Sequence, residues 1–179
     1  SVVNALSEWV EVNVHQNGHE FFLRFEDGGK ATGPLKIIND SEKHGSIVRF
    51  KADPEIFQET QEYDFDTLNA RIRQLAFLNK SIRLVLCDER EAEPKRIEYK
   101  YDGGIRQYVE YLNKNKTPLH EEVVYVEGIE DGILAEIAMQ YNDGYIPSIY
   151  SFCNNINTME GGTHEDGFRL ALTRIINAY

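Results

Sequence analysis

The chain has 179 residues, 41% hydrophobic and 27% charged. No apolar run approaches the roughly 20 residues a membrane helix needs, so it reads as one large or two small globular domains with no membrane partner. Its 19 Lys and Arg against 30 Asp and Glu give a net charge of -11, which argues against the chain gripping a nucleic-acid backbone unaided. Two widely spaced cysteines, Cys87 and Cys153, lie in apolar sequence and read as buried thiols in a reducing compartment, hence a cytoplasmic location without a disulfide or metal framework.

The chain opens "SVVNALSEW", without an initiator Met or a signal-type segment, and reads as a fragment whose first residues are already helical. "WVEVNVHQ" then alternates Val10, Val12 and Val14 against Glu11, Asn13 and His15 at strand period, and Asn17-Gly18 predicts a tight hairpin into "HEFFLRFED". Strands follow at "PLKII" and "SIVRFK". Phe65, Leu68, Ile72, Leu75 and Ala76 recur at helical spacing behind Asp64, predicting a capped helix over 65–78, and "SIRLVLCD" and "RIEYKY" read as two more strands. These elements form an α+β layer. A double glycine and a short helix at "YDGGIRQYVEYLNKNKTPLH" place a domain boundary near Asp102. Beyond it come strands at "EVVYVEG", "ILAEIAMQYND" and around "SIYSFCNN", then a closing helix after Gly162.

Few residues carry a chemical signal. His15 and His19 have an HxxxH spacing that converges on a metal only in a helix, and here the pair straddles a turn. His44, His120 and His164 have no recognisable nucleophile context. Lys114 and Lys116 follow a helix, where they complement its dipole more readily than they contact phosphate. In "GSIVRF", Ser46, Val48 and Phe50 share one face and Ile47, Arg49 and Lys51 the other, so the Ser46 hydroxyl either satisfies local backbone or reads the polar edge of a bound base. The stretch "EGGTHEDGF" resembles a phosphate loop. However, no Lys follows the glycines, and Glu160, Glu165 and Asp166 already bring negative charge to the helix start. Thr163 with Asp166 reads instead as a capping box, and Gly161 and Gly162 as a sharp structural junction.

Taken together, "SVVNALSEWVEV", "QLAFLNKSIRL", "YVEYLNKNKTPLHEE", "AMQYNDG" and "NNINTMEGGTHEDGFRLALTRIINAY" resemble the N-terminal half of the B subunits of bacterial type IIA DNA topoisomerases, with the gyrase branch nearer than topoisomerase IV. The resemblance implies that residues 1–101 are the C-terminal part of a GHKL-type ATPase sandwich. It implies that 102–179 begin a transducer domain with a left-handed βαβ-type fold. It implies ATP and Mg2+ as cofactors of the complete protein, neither held tightly by this chain alone. Two B subunits dimerise on binding ATP, associate with the topoisomerase A subunit as A2B2, and couple hydrolysis to passage of duplex DNA and negative supercoiling. The resemblance also implies that Ser1 and Val2 fall near the phosphates, Ser46 and Val48 at the adenine, and Gln16 beside the coumarin-inhibitor site. The family's catalytic glutamate and metal-binding asparagine belong upstream of Ser1, leaving no catalytic residue in this chain. Topoisomerase IV decatenation, or a noncatalytic dimerising and signal-transmitting module, are the alternatives.

Overall fold

The structure, a computed structural model, describes residues 2–179, in two compact units that divide between Tyr63 and Asp64. The first unit opens with a helical turn, α1 (Val2–Ala5), and is otherwise an antiparallel sheet of β1 (Ser7–Gln16), β2 (His19–Glu26), β3 (Lys30–Ala31), β4 (Lys36–Asp40) and β5 (Gly45–Ala52). The order is β3-β2-β1-β5, with β4 also pairing β2. The β1–β2 hairpin turns where expected. Asn17 (φ 53°) and Gly18 (φ 81°) both take positive φ, as a two-residue turn matched to strand twist requires. β5 skips its sequence neighbour β4 and pairs with β1, setting Val14 opposite Ser46, Val12 opposite Val48 and Val10 opposite Phe50.

The second unit is built around the helix α2 (Phe65–Leu78). Asp64 caps it as predicted, its carboxylate accepting from the Thr67 N–H at 2.7 Å, a bond whose loss costs about 1 kcal/mol. Two hairpins follow: β6 (Leu84–Asp88) with β7 (Lys95–Tyr99), then, after α3 (Ile105–Asn113), β8 (Val124–Glu130) with β9 (Ile133–Met139). The core lies where α2 meets α3. Phe77, 1% exposed, stacks on Tyr101 at 3.6 Å between ring centroids and lies 5.0 Å from Tyr108. Burying a phenyl ring in this way contributes roughly 1.5–3 kcal/mol. Every strand pairing among the described residues is antiparallel, so no parallel βαβ crossover forms between them.

Three expectations need correction. Cys87 and Cys153 are free but exposed, because each sits on a strand of a two-stranded hairpin that leaves one side open. The strand expected around "SIYSFCNN" is a short hairpin, β10 (Phe152–Cys153) with β11 (Ile156–Asn157), whose turn residues Asn154 (φ 48°) and Asn155 (φ 65°) are both left-handed. Finally, α4 (Thr163–Ala178) is not capped by Thr163. Thr163 is its first residue, Gly162 holds the cap position, and no side chain there accepts a helix N–H.

Candidate functional site

The register of the first sheet assembles an apolar face that no single strand shows. Residues directly opposite in an antiparallel pair lie on the same face, so β1 contributes Val10, Val12 and Val14, β2 Phe25, Leu23 and Phe21, and β5 Phe50, Val48 and Ser46. Ser46 is the polar position in that array, and its hydroxyl has no hydrogen-bond partner among the described residues. Val48 is 56% and Phe50 47% exposed, and β5 ends the strand order with its outer edge unpaired among the described residues. A flat apolar floor with one free hydroxyl at its margin suits a planar heteroaromatic ring with a polar edge.

The opposite face combines hydrogen-bonded polar side chains with Phe22 and Ile47, which flank Asn13. Asn13 donates to Glu20 at 2.7 Å and accepts from Arg49 at 3.1 Å, Arg24 binds Glu11 at 2.6 Å, and His15 pairs with Ser41 at 2.9 Å. Asn13 and His15 are therefore buried, where simple alternation predicts that only the valines are. The Asn39 and Asn13 amides, both donating to Glu20, hold its carboxyl below its ordinary pKa. His19 binds Asp40 at 3.1 Å, so the two histidines of the HxxxH spacing engage different partners.

The remaining predicted positions separate. Val2 is exposed on α1, and Gln16 is exposed at the end of β1 beside the hairpin turn. Ser1 lies outside the described residues. Lys114 follows α3 with its ammonium 5.0 Å over the Tyr111 ring, and Lys116 reaches Ser148 at 3.5 Å. Gly161 has φ 78°, a conformation a side chain resists, and an added Cβ would lie 3.7 Å from the Glu165 carboxylate.

Sequence reasoning missed how densely α2 is wired to the residues after 102. Arg73 donates to the Tyr99 hydroxyl at 2.8 Å and to the Tyr111 hydroxyl at 2.7 Å, bonds that raise its pKa. Arg71 donates to the Asn155 carbonyl at 2.8 Å and to Gln74, and Asn155 donates to Asn79 at 3.1 Å. Just past the helix, Lys80 binds Glu136 at 2.6 Å and the Tyr125 hydroxyl at 2.8 Å, pairings that raise its pKa well above the usual lysine range. The helical period of 65–78 marks only its apolar stripe. The polar side chains between those positions carry no sequence signal of their partners.

The elements define a mixed α/β segment, and the comparisons with known proteins say which proteins share it. A family profile described as DNA gyrase B matches residues 104–179. Over all 179 residues the chain is 55% identical to the DNA gyrase B subunit of Bacillus mycoides and 57% to that of Bacillus cereus, covering 44% of each. It is 52% identical to the DNA gyrase B subunit of Staphylococcus epidermidis, of which it covers 28%. The chain thus spans less than half the length of these relatives. Its fold matches the crystal structure of the 43K ATPase domain of Thermus thermophilus gyrase B in complex with an aminocoumarin. The TM-score is 0.84 and the identity 32%, over 99% of this chain and 48% of that one. The chain belongs to the DNA gyrase B family.

Proposed function

We propose that this chain is the part of a type IIA topoisomerase B subunit, of the gyrase kind, that couples ATP binding and hydrolysis to DNA strand passage and negative supercoiling. The observation that carries the reading is 55% identity over the whole chain to a DNA gyrase B subunit. Residues 1–101 complete a GHKL-type ATPase domain and 102–179 begin the transducer. The family profile's match from residue 104 supports that division.

In this reading the adenine lies on the apolar face, with Val12, Val14 and Val48 as floor and the Ser46 hydroxyl on its polar edge. The support is the register that sets Ser46 opposite Val14 and Val48 opposite Val12, so that one exposed hydroxyl borders that face. Val2 and Ser1 sit towards the phosphates, Gln16 borders the coumarin site, and Gly161, Gly162 and Thr163 form a structural junction. Bound ATP supplies a transferable phosphoryl group and the energy of its hydrolysis. This chain's residues bind and orient the base and exclude water from it. The general base and the ligands of Mg2+ belong to parts of the protein outside these 179 residues. Among the described residues no three His, Cys, Asp or Glu side chains cluster to hold a metal ion. The partners are a second B subunit, the A subunit in A2B2, and duplex DNA, in the cytoplasm. No described helix is long and apolar enough to cross a membrane. The test is the complete B subunit reconstituted with its A subunit on relaxed circular DNA. ATP-dependent negative supercoiling is the expected result, decatenation without supercoiling would assign topoisomerase IV, and absence of ATP turnover would overturn the reading.

A further inference from the structure

The motif "NNINTMEGGTHE" takes no part in the adenine face, yet it is hydrogen-bonded from end to end. At one end α2 grips the Asn154–Asn155 turn twice, through Arg71 to the Asn155 carbonyl at 2.8 Å and through Asn79 to the Asn155 amide at 3.1 Å. The turn is fixed by its two left-handed residues, and β10 and β11 run from it in register, Cys153 opposite Ile156 and Phe152 opposite Asn157. Immediately beyond that ladder, Thr158 donates its N–H to the Ser151 carbonyl at 2.9 Å, and the Ser151 and Thr158 hydroxyls are 2.6 Å apart. Ser151 then donates to the Glu165 carboxylate at 2.7 Å, in the first turn of α4, and Arg169 one turn on binds the same carboxylate at 2.8 Å. Meanwhile α4 has no fully buried residue, and only Phe168 and Leu172 of its apolar stripe are half-buried, so apolar packing within the described chain seats it weakly.

We infer that Arg71, Asn155, Ser151 and Glu165 are successive joints of one polar relay that passes displacement of α2 to α4. Its part in coupling rests on the function proposed above. The four act as positioning residues, through the hydrogen bonds they make to one another's segments. Hydrogen bonds weaken steeply once their angle falls below about 120°, so a joint of such a chain that rotates out of line is released. Two-ended geometry also fixes what each joint does. Arg71 and Asn79 locate the turn, the short ladder carries that location rigidly to Ser151, and Ser151 sets where the first turn of α4 begins.

The test uses the complete B subunit and reads amide hydrogen exchange in α4 without nucleotide. Arg71→Met and Ser151→Ala should each speed exchange in the first turn of α4 about tenfold, the factor that loss of one charge-assisted hydrogen bond gives. Because they break one chain, the double variant should be no faster than either single one. Glu165→Ala should act like Ser151→Ala. Glu165→Gln, which keeps an oxygen to accept from Ser151, should restore slow exchange. With the A subunit present, Arg71→Met and Glu165→Ala should lower supercoils introduced per ATP hydrolysed by about threefold or more while nucleotide affinity stays unchanged. Additive exchange effects, or no response of α4 to Arg71→Met, overturn the relay. A normal supercoiling-to-ATP ratio alongside the exchange effect overturns its role in coupling. A parent protein without ATP turnover would overturn the function reading instead, while the exchange comparison still decides whether the relay exists.

Discussion

Gly104 precedes α3 with φ 60° and ψ -134°, a backbone region that only glycine visits freely. A Cβ built there meets Lys80 at 2.6 Å from Cγ and 2.7 Å from Cε, both inside any real carbon contact. Gly104→Ala therefore carries two separable costs: backbone strain of about 1–3 kcal/mol, and displacement of a lysine whose ammonium binds Glu136 and Tyr125. Lys80 is about two-fifths exposed, so loss of its ion pair adds no more than about 1 kcal/mol. The sum is roughly 1–4 kcal/mol. The assay is calorimetric unfolding of the complete protein, comparing Gly104→Ala with the same change in a Lys80→Ala background, where the obstruction is gone and only the strain remains. The alanine substitution should cost less in that background. Equal costs in both backgrounds would refute the steric part of the reasoning. A near-neutral Gly104→Ala would refute the conformational part.

Because Thr163 does not cap α4, Thr163→Ala should change stability by less than about 0.5 kcal/mol. Gly161→Val, at φ 78°, should cost about 1–3 kcal/mol, and thermal melts of the two variants compare them directly. In the complete protein, Ser46→Val should weaken ATP binding by about 1–3 kcal/mol through loss of the base's polar partner, and unchanged affinity by titration calorimetry would make Ser46 a strand residue only. Ser151 first and Arg169 second hold the Glu165 carboxyl below its ordinary pKa. A depressed carboxylate contributes stability above its unfolded pKa that is lost as pH falls through the folded value. The contribution of Glu165 should therefore be complete at neutral pH and fade only below the ordinary glutamate range. Carbon-detected NMR titration of Glu165 should show its midpoint rise in Ser151→Ala. No movement would show that the Ser151 bond is not what lowers it.

Local chemistry was readable wherever one segment determines its own conformation. Asp64 with the apolar period behind it specified α2 and its cap, and Asn17-Gly18 specified the first hairpin. The Asn154-Asn155 dipeptide carries the same kind of turn signal, yet the apolar run "SIYSF" ahead of it reads as one longer strand, so the two-residue hairpin was missed. The cap of α4 failed because a threonine after two glycines matches a capping box in sequence while the backbone places it one residue too late. Burial of Asn13 and His15 depends on Glu20 and Arg49 arriving from other strands and Ser41 from the loop after β4, which strand alternation cannot report. For the candidate site, the period of β5 put Ser46 with Val48. Only the pairing of β5 with β1, across three intervening strands, shows that Val12 and Val14 lie beside them.

The exposure of the two thiols has a practical consequence. Cys87 lies on the β6–β7 hairpin and Cys153 next to the Asn154–Asn155 turn, both free and reachable by reagents. Neither side chain is in the core, so maleimide or nitroxide labels attach without repacking it. The chain thus carries two native attachment points for a spectroscopic ruler. In a complete protein whose other cysteines are replaced, spin labels at 87 and 153 would report by pulsed electron resonance the distance between the α2-flanking hairpin and the strand pair leading to α4, nucleotide state by nucleotide state.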